Sequence, residues 1–261
     1  MEVVRLNQNL FNKLRGNEIS SNKNGSRPYY YSFKRNNNRV CIPFRTNART
    51  VPNKYKINLG GEQPDKPNSA IDLTKSIVIS NHEYLNNRTK AKIPQNVNNY
   101  LKQQAPAIEQ KYDNMSKDYI NAKATLSEIP LVKYSTMQYF HNELDLDSTI
   151  EDKRLDYSIK WLLNDDDKYL TLIDNLNSSS LEVLEKYEDL KQFSELCSFK
   201  STIDNSNNIN NPLLIIDKMG ENITVSIDDI RNDPDTYIKE YLEYDIKANT
   251  QHKHVNNDLE L

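Results

Sequence analysis

The chain has 261 residues, of which 36% are hydrophobic and 27% are charged, and its mean hydropathy is −0.83. No apolar run reaches the roughly 20 residues of a membrane-spanning helix, and no signal-peptide core is present, which argues against membrane insertion and predicts a soluble, cytoplasmic protein. The length allows one large domain or two small ones, and we predict two hydrophobic cores, which the low hydrophobic fraction makes lean.

The net charge of −3 conceals two parts of opposite charge. Residues 1–132 contain 21 Lys and Arg against 10 Asp and Glu, whereas residues 133–261 contain 13 against 27. A basic part with an excess of 11 charges is typical of a protein that binds a polyanion such as RNA. Attraction between the two parts across an interface is the alternative explanation.

The basic part is predicted to be rich in strands and closed by one long helix. Aromatic and β-branched patterns predict strands at residues 1–6, 28–33, 39–44, 55–57 and 76–80. A short helix through Leu10 is expected to end at Gly16, and the Asn-rich residues 34–38 are typical of a hairpin turn. From Asn96 to Ile120, apolar residues recur at helical spacing. These patterns predict an α+β fold with an antiparallel sheet.

The acidic part is predicted to be mostly helical. Capping-box patterns that begin at Ser148 and Ser179 predict helices at 149–164 and 180–199, with a shorter helix between them. Apolar runs predict a small hairpin over residues 213–225, and Asp233-Pro234 predicts the start of a final helix through Ile246. The polar residues 248–261 are predicted to be disordered.

Neither the cysteines nor the histidines form a motif for redox chemistry or metal binding. Cys41 and Cys197 lack a CxxC partner and are predicted to be buried thiols. No zinc-ligand spacing occurs among the four histidines, which are His82, His141, His252 and His254. We therefore expect no metal site and no cofactor.

The densest polar chemistry lies in residues 45–50, Arg-Thr-Asn-Ala-Arg-Thr, where a predicted strand runs out into a loop. Two guanidiniums, two hydroxyls and an amide can hold a phosphate through several hydrogen bonds. Lys23 and Arg27 precede the first hairpin strand, and the lysines on either side of Tyr55 combine cations with a stacking surface. Alternatively, each of these clusters is an ordinary polar turn, as short polar runs after strands usually are.

RNA offers such a site a reaction that needs no metal. Its 2′-hydroxyl can attack the adjacent phosphate and leave a 2′,3′-cyclic end, provided that groups accept the 2′ proton, stabilise the phosphorane and protonate the departing 5′ oxygen. Arg45 or Arg49 fits the stabilising role, and Thr46 with Asn47 could orient the phosphate. His82 is the candidate base, because imidazole titrates near neutral pH, although a lone histidine in a loop is more often a surface residue.

Three segments of the basic part, taken in order, carry a family resemblance. They are residues 27–30 (Arg-Pro-Tyr-Tyr), 40–47 (Val-Cys-Ile-Pro-Phe-Arg-Thr-Asn) and 70–79 (Ala-Ile-Asp-Leu-Thr-Lys-Ser-Ile-Val-Ile), preceded by a short strand and helix. In this order they resemble the toxins of type III toxin–antitoxin systems, most closely the TenpN group and more distantly the ToxN and AbiQ toxins. The resemblance spans about residues 1–125, with 134–141 as a candidate extension.

The resemblance implies a compact antiparallel β-barrel core with helices, similar to that of the MazF/Kid toxins. It implies an endoribonuclease that acts in phage defence by abortive infection and cuts cellular or phage RNA. Its partner would be an RNA antitoxin, a repeated pseudoknot that inhibits the toxin, is processed by it and binds in its basic groove. A cyclic protein–RNA assembly is a further expectation.

The residues and the resemblance together assign catalytic roles to Arg27, Arg45, Thr46, Asn47 and Arg49. By position, Arg27 matches a lysine of the family, and Arg49 lies near another. The chain departs from the ToxN pattern at Lys23, where those toxins carry a tyrosine, and at Arg45-Thr46, which replaces a Thr-Ser pair. The residues expected to contact RNA are Lys23, Tyr30, Lys34, Arg35, Lys54, Tyr55, Lys56 and Lys75.

Three segments are therefore predicted: a basic endoribonuclease domain (1–141), an acidic helical region (142–247) and a disordered tail (248–261). The acidic region could be a helical addition that packs on the barrel, a dimerisation module, or an acidic surface that competes with RNA for the basic groove. Two functions stand as alternatives to the enzyme. One is a non-catalytic RNA-binding adaptor of phage defence, and the other is an interaction protein whose acidic part mimics nucleic acid.

Overall fold

The protein divides into two compact units, Met1–Lys153 and Arg154–Leu261. Its structure, a computed structural model, describes residues 2–14, 16, 18–19, 21–80, 84–85, 91–164 and 167–242. The first unit carries 23 Lys and Arg against 15 Asp and Glu, and the second carries 11 against 22. The predicted tail at 248–261 lies outside the described residues, as do His82, His252 and His254.

A six-stranded antiparallel sheet forms the centre of the first unit. Its strands are β1 (Glu2–Arg5), β2 (Pro28–Arg35), β3 (Asn38–Arg45), β4 (Lys56–Asn58), β5 (Ala70–Asp72) and β6 (Ile77–Ile79). Their order is β1-β2-β3-β5-β4, and β6 also pairs with β3. Within the described part of the chain β1 does not pair with β4, so the sheet is open at both edges. The described strands therefore do not form the expected closed barrel.

The helices of the first unit are mostly short. They are α1 (Gln8–Lys13), α2 (Gln95–Gln103), α3 (Ala105–Ala124), α4 (Pro130–Tyr134), α5 (His141–Leu144) and α6 (Leu146–Leu163), which ends in the second unit. The single helix predicted from Asn96 is two helices, because Pro106 has no N–H with which to continue the hydrogen bonding of α2. None of the described helices is long and apolar enough to cross a membrane.

The β2–β3 hairpin determines where the polar run after β3 lies. Its two-residue turn uses Asn36 and Asn37, whose φ angles of 47° and 61° are left-handed, as this turn type requires. Next to the turn Lys34 pairs with Arg39, and after a one-residue register shift between Lys34 and Tyr31, Tyr29 pairs with Pro43. At the far end of β3, Arg45 lies opposite Ala70 of β5. β5 was not predicted, because it directly follows a stretch rich in proline and glycine that is typical of a loop.

The loop between β4 and β5 passes close to itself at Gly60. A Cβ atom there would lie 2.1 Å from the carbonyl oxygen of Pro67, whereas a Cβ at Gly61 would have nothing within 4 Å. We expect Gly60→Ala to lower the free energy of unfolding of the first unit by about 2–4 kcal/mol, and Gly61→Ala by less than about 0.5 kcal/mol. Thermal unfolding followed by circular dichroism checks this, and equal melting temperatures would contradict it.

The second unit has its own antiparallel sheet, with strand order β7-β8-β9. These strands are β7 (Lys200–Asp204), β8 (Leu213–Lys218) and β9 (Glu221–Ser226), and the helices are α7 (Leu170–Ile173), α8 (Ser178–Leu196), α9 (Ile227–Asn232) and α10 (Pro234–Tyr241). The predicted hairpin is confirmed as β8–β9, with left-handed Met219 and Gly220 in its turn. β7 was missed, because its polar sequence lacks an apolar run.

The predicted helices of the acidic part are confirmed, but two of their caps are not. α6 begins at Leu146, so Ser148 lies inside the helix. Asn177 caps α8 instead of Ser179, and its Oδ1 accepts a hydrogen bond of 2.8 Å from the N–H of Ser180. Asp233 caps α10 as predicted, since its carboxylate accepts a hydrogen bond from the N–H of Thr236.

The two cysteines differ in exposure. Cys41, in β3, is fully buried, whereas Cys197 follows the end of α8 and is partly exposed, so the prediction of two buried thiols is wrong for Cys197. Burial raises the pKa of the Cys41 thiol to about 12, which suppresses the reactive thiolate. We expect a water-soluble thiol reagent at about pH 8 to label Cys197 and to spare Cys41 until the protein is denatured. Peptide mass spectrometry checks this, and rapid labelling of native Cys41 would contradict it.

Candidate nucleic-acid interface

A cleft of about 580 Å³ lies at the end of β3 in the first unit. Its walls come from the loop before β2, the end of β3, the loop between β4 and β5, and the residues before α2. Five cationic side chains line it, those of Lys23, Arg27, Arg45, Lys66 and Lys92. The described lining contains no Asp, Glu or His. We call it the cationic cleft, and its charge suits an anionic ligand.

Arg45 is positioned by a carboxylate beneath the cleft. Its Nη1 donates a hydrogen bond of 2.7 Å to Oδ2 of Asp72, a residue of β5 that is fully buried. The other carboxylate oxygen accepts hydrogen bonds from the N–H (3.0 Å) and the hydroxyl (2.7 Å) of Thr74. Asp72 is thus saturated by protein donors, and it orients a guanidinium that remains 32% exposed.

Hydrogen bonds at both the N–H and the carbonyl of Ala48 hold the loop after β3 in place. The N–H of this buried residue donates to the carbonyl of Asn68 (2.8 Å), and its carbonyl accepts from Nζ of Lys56 (2.7 Å). Oδ1 of Asn47 accepts a hydrogen bond from the backbone N–H of Arg49 (3.2 Å). These bonds fix Thr46 and Asn47 on the wall of the cationic cleft, where both side chains are exposed.

A tight turn presents the cations of the loop before β2. Lys23, Asn24 and Gly25 all have left-handed φ angles, of 50°, 53° and 81°. The carbonyl of Asn22 accepts hydrogen bonds from the N–H groups of Gly25 (3.1 Å) and Arg27 (3.2 Å). Nε of Arg27 is buried and has no hydrogen-bond partner among the described residues. A buried donor without an acceptor is costly, so Arg27 is poised to bind a ligand oxygen.

The structure brings most of the predicted catalytic residues together. Arg27, Arg45, Thr46 and Asn47 all line the cationic cleft, and Lys23 joins them from the set predicted to contact RNA. Arg49 is exposed but lies outside the described lining. Sequence reasoning missed Lys66 and Lys92, because each belongs to a loop without a motif.

Three predicted RNA contacts instead attach α3 to the sheet. Arg35 donates to Asp113 at 2.7 Å and to Glu109 at 2.9 Å. Asp118 accepts hydrogen bonds from Lys54 (2.8 Å) and from the hydroxyl of Tyr55 (2.7 Å), a residue that is only 5% exposed. The hydrogen bond from Lys54 holds the pKa of the Asp118 carboxyl below its usual range.

The remaining predicted contacts also lie outside the cationic cleft. Tyr30 and Lys56 are buried, and neither belongs to the described lining of the cationic cleft. Nζ of Lys75 donates to Oε2 of Glu18 and to the carbonyl of Tyr134, both at 2.7 Å, so its charge serves the fold. Lys34 is exposed beside the hairpin turn, but it is not part of the described lining.

His141 is the one histidine within the described ranges, and its contacts are structural. Its Nε2 lies 2.8 Å from the hydroxyl of the buried Tyr119, and its Nδ1 lies 2.6 Å from Oδ1 of Asp147. These bonds join α3, α5 and α6 in the first unit. No group of three or more His, Cys, Asp or Glu side chains that could hold a metal ion occurs in the described part of the chain.

Comparisons of the chain with protein-family models, with curated proteins and with solved structures find no match.

Proposed function

We propose that the first unit is a metal-independent endoribonuclease and that the protein is the toxin of a type III toxin–antitoxin system. The observation that carries this proposal is the convergence of Arg27 with Arg45, Thr46 and Asn47 in one cleft, whose described lining has five cationic side chains and no carboxylate. The order of β1, α1, β2 and β3 also agrees with the family resemblance. A closed barrel is not part of the proposal.

Each group in the cationic cleft has a chemical task in RNA cleavage. A phosphate bound between Arg27 and Arg45 would accept hydrogen bonds from both guanidiniums, and Thr46 and Asn47 would orient its oxygens. The 2′ oxygen forms the new P–O bond as the P–O5′ bond breaks, which leaves a 2′,3′-cyclic phosphate and a 5′-hydroxyl. The arginines stabilise the extra negative charge on phosphorus, and a lysine of the cleft can supply the proton to the 5′ oxygen.

None of the residues named above is assigned to accept the 2′ proton. Because the described lining has no carboxylate or imidazole, the cleft also supports a second candidate function, an adaptor that binds RNA without cutting it. The mechanism has two versions, which differ in whether His82 accepts the 2′ proton. If it is the base, His82→Ala should slow cleavage by about 10²–10⁴-fold, whereas unchanged cleavage by this variant would exclude His82 as the base.

Expression in bacteria without an antitoxin RNA tests the toxin proposal. We expect the wild-type protein to stop growth and to fragment cellular RNA, and we expect Thr46→Ala to lessen both effects. Thr46 is exposed, so this variant should fold normally, and its level can be matched to the wild type. Co-expression of tandem RNA repeats encoded upstream of the gene should restore growth. Identical growth and intact RNA with both proteins would overturn the proposal.

A further inference from the structure

A second, largely apolar cleft of about 440 Å³ adjoins the cationic cleft in the first unit, and Arg45 lines both. Its apolar walls include Pro52, Ile129 and Tyr134. Tyr134 is 56% exposed, and Ile129 is 37% exposed. Large exposed apolar groups grouped in a concavity are a common mark of a binding site.

The segment that carries Tyr134 is firmly attached to the sheet side of this cleft. Nζ of Lys75 donates to the carbonyl of Tyr134 at 2.7 Å, and the hydroxyl of Thr136 donates to the carbonyl of Ser76 at 2.5 Å. The exposed Tyr134 ring is therefore presented by a fixed backbone, so a ligand that stacks on it pays little to order the wall.

A polar group with no partner lies in the same wall. Ser135 lines the cleft and is 1% exposed, yet its hydroxyl has no hydrogen-bond partner among the described residues. Buried hydroxyls are almost always hydrogen-bonded in folded proteins. An unpaired one inside a cleft indicates a ligand with a polar edge as well as an apolar face.

We propose that this second cleft is a nucleobase subsite, which binds a base of the RNA strand whose phosphate lies at Arg45. A base has flat faces that stack on an aromatic ring and a polar edge that can pair with the Ser135 hydroxyl. The two clefts share Arg45 in their linings, so they are neighbours in the first unit. The inference rests on the proposed function only in requiring that the cationic cleft hold the RNA backbone.

The test compares a short single-stranded RNA with the same oligonucleotide made abasic at every position, using fluorescence anisotropy on the full chain. We expect the wild type to bind the intact RNA at least about tenfold more tightly than the abasic chain. Tyr134→Ala should remove this difference without weakening abasic binding, and Tyr134→Phe should keep it. Equal binding of both oligonucleotides by the wild type, or an equal loss for both in Tyr134→Ala, would overturn the subsite.

Ser135→Ala supplies a second measurement that does not depend on stacking. Removing an unpaired buried hydroxyl should leave the melting temperature unchanged or raise it. The affinities for the four homopolymeric RNAs should change their ranking, with a change of about fivefold in affinity for at least one base. An unchanged ranking would overturn the role of Ser135. If the wild type binds neither the intact nor the abasic oligonucleotide, the proposed function itself fails, a result distinct from loss of the subsite alone.

Discussion

The double variant Arg27→Gln, Lys66→Gln should bind single-stranded RNA about 100-fold more weakly than the wild type at low salt. Both residues line the cationic cleft, and each charge-assisted hydrogen bond to a phosphate contributes about 1.5 kcal/mol or more. For each phosphate contact that is removed, the slope of log K against the logarithm of salt concentration, where K is the RNA association constant, should also become shallower by about 0.7. Titrations at several salt concentrations measure both effects.

A matched control separates this effect from a change in net charge. Lys102 of α2 and Lys117 of α3 are exposed and lie outside the lining of the cationic cleft. Lys102→Gln, Lys117→Gln removes the same charge, and we expect its RNA affinity to stay within about threefold of the wild type. Equal losses in the two double variants would mean that RNA responds to overall charge and not to the cleft.

Asp72→Ala should produce a large loss of stability next to the site. It removes the buried acceptor of three hydrogen bonds, from Arg45 and Thr74. We expect a loss of about 3 kcal/mol, because the buried acceptor is removed and the donors that it satisfied lose their partner. Asp65, which is exposed and lies 3.6 Å from Lys66, is the control, and Asp65→Ala should cost less than about 0.5 kcal/mol.

Denaturation with two probes makes this comparison specific. The single tryptophan, Trp161, belongs to the second unit, so its fluorescence reports on that unit. Hydrogen exchange of peptides from the first unit should accelerate in Asp72→Ala. If Asp65→Ala and Asp72→Ala unfold at the same denaturant concentration, the carboxylate beneath Arg45 does not hold the site together.

The parts of the fold that could be predicted from sequence are those with strong local signals. The β2–β3 hairpin has aromatic strands around an Asn-rich turn, and α10 has Asp233 before Pro234. The missed elements are short or polar, such as β5 and β7, so their local sequence patterns are weak.

The candidate site could be predicted in part, for a similar reason. Arg45, Thr46 and Asn47 form a continuous run at a strand end, so local pattern located them. Whether another cationic side chain lines the cleft or forms an ion pair within the fold depends on residues distant in the sequence. Arg35, for example, pairs with Asp113 of α3. A count of basic residues cannot distinguish these cations from Lys66, which faces the cleft.

In the proposed mechanism the cationic cleft binds RNA, and a 2′-hydroxyl of the RNA attacks the adjacent phosphate and breaks the strand. Mass spectrometry of a short RNA after incubation with purified protein tests this most directly, with a second oligonucleotide that is 2′-deoxy at the cut position. We predict fragments with 2′,3′-cyclic phosphate and 5′-hydroxyl ends from the first, none from the second, and equal binding of both. Fragments with 5′-phosphate ends, cutting at the deoxy position, or tight binding without any cutting would contradict the claim.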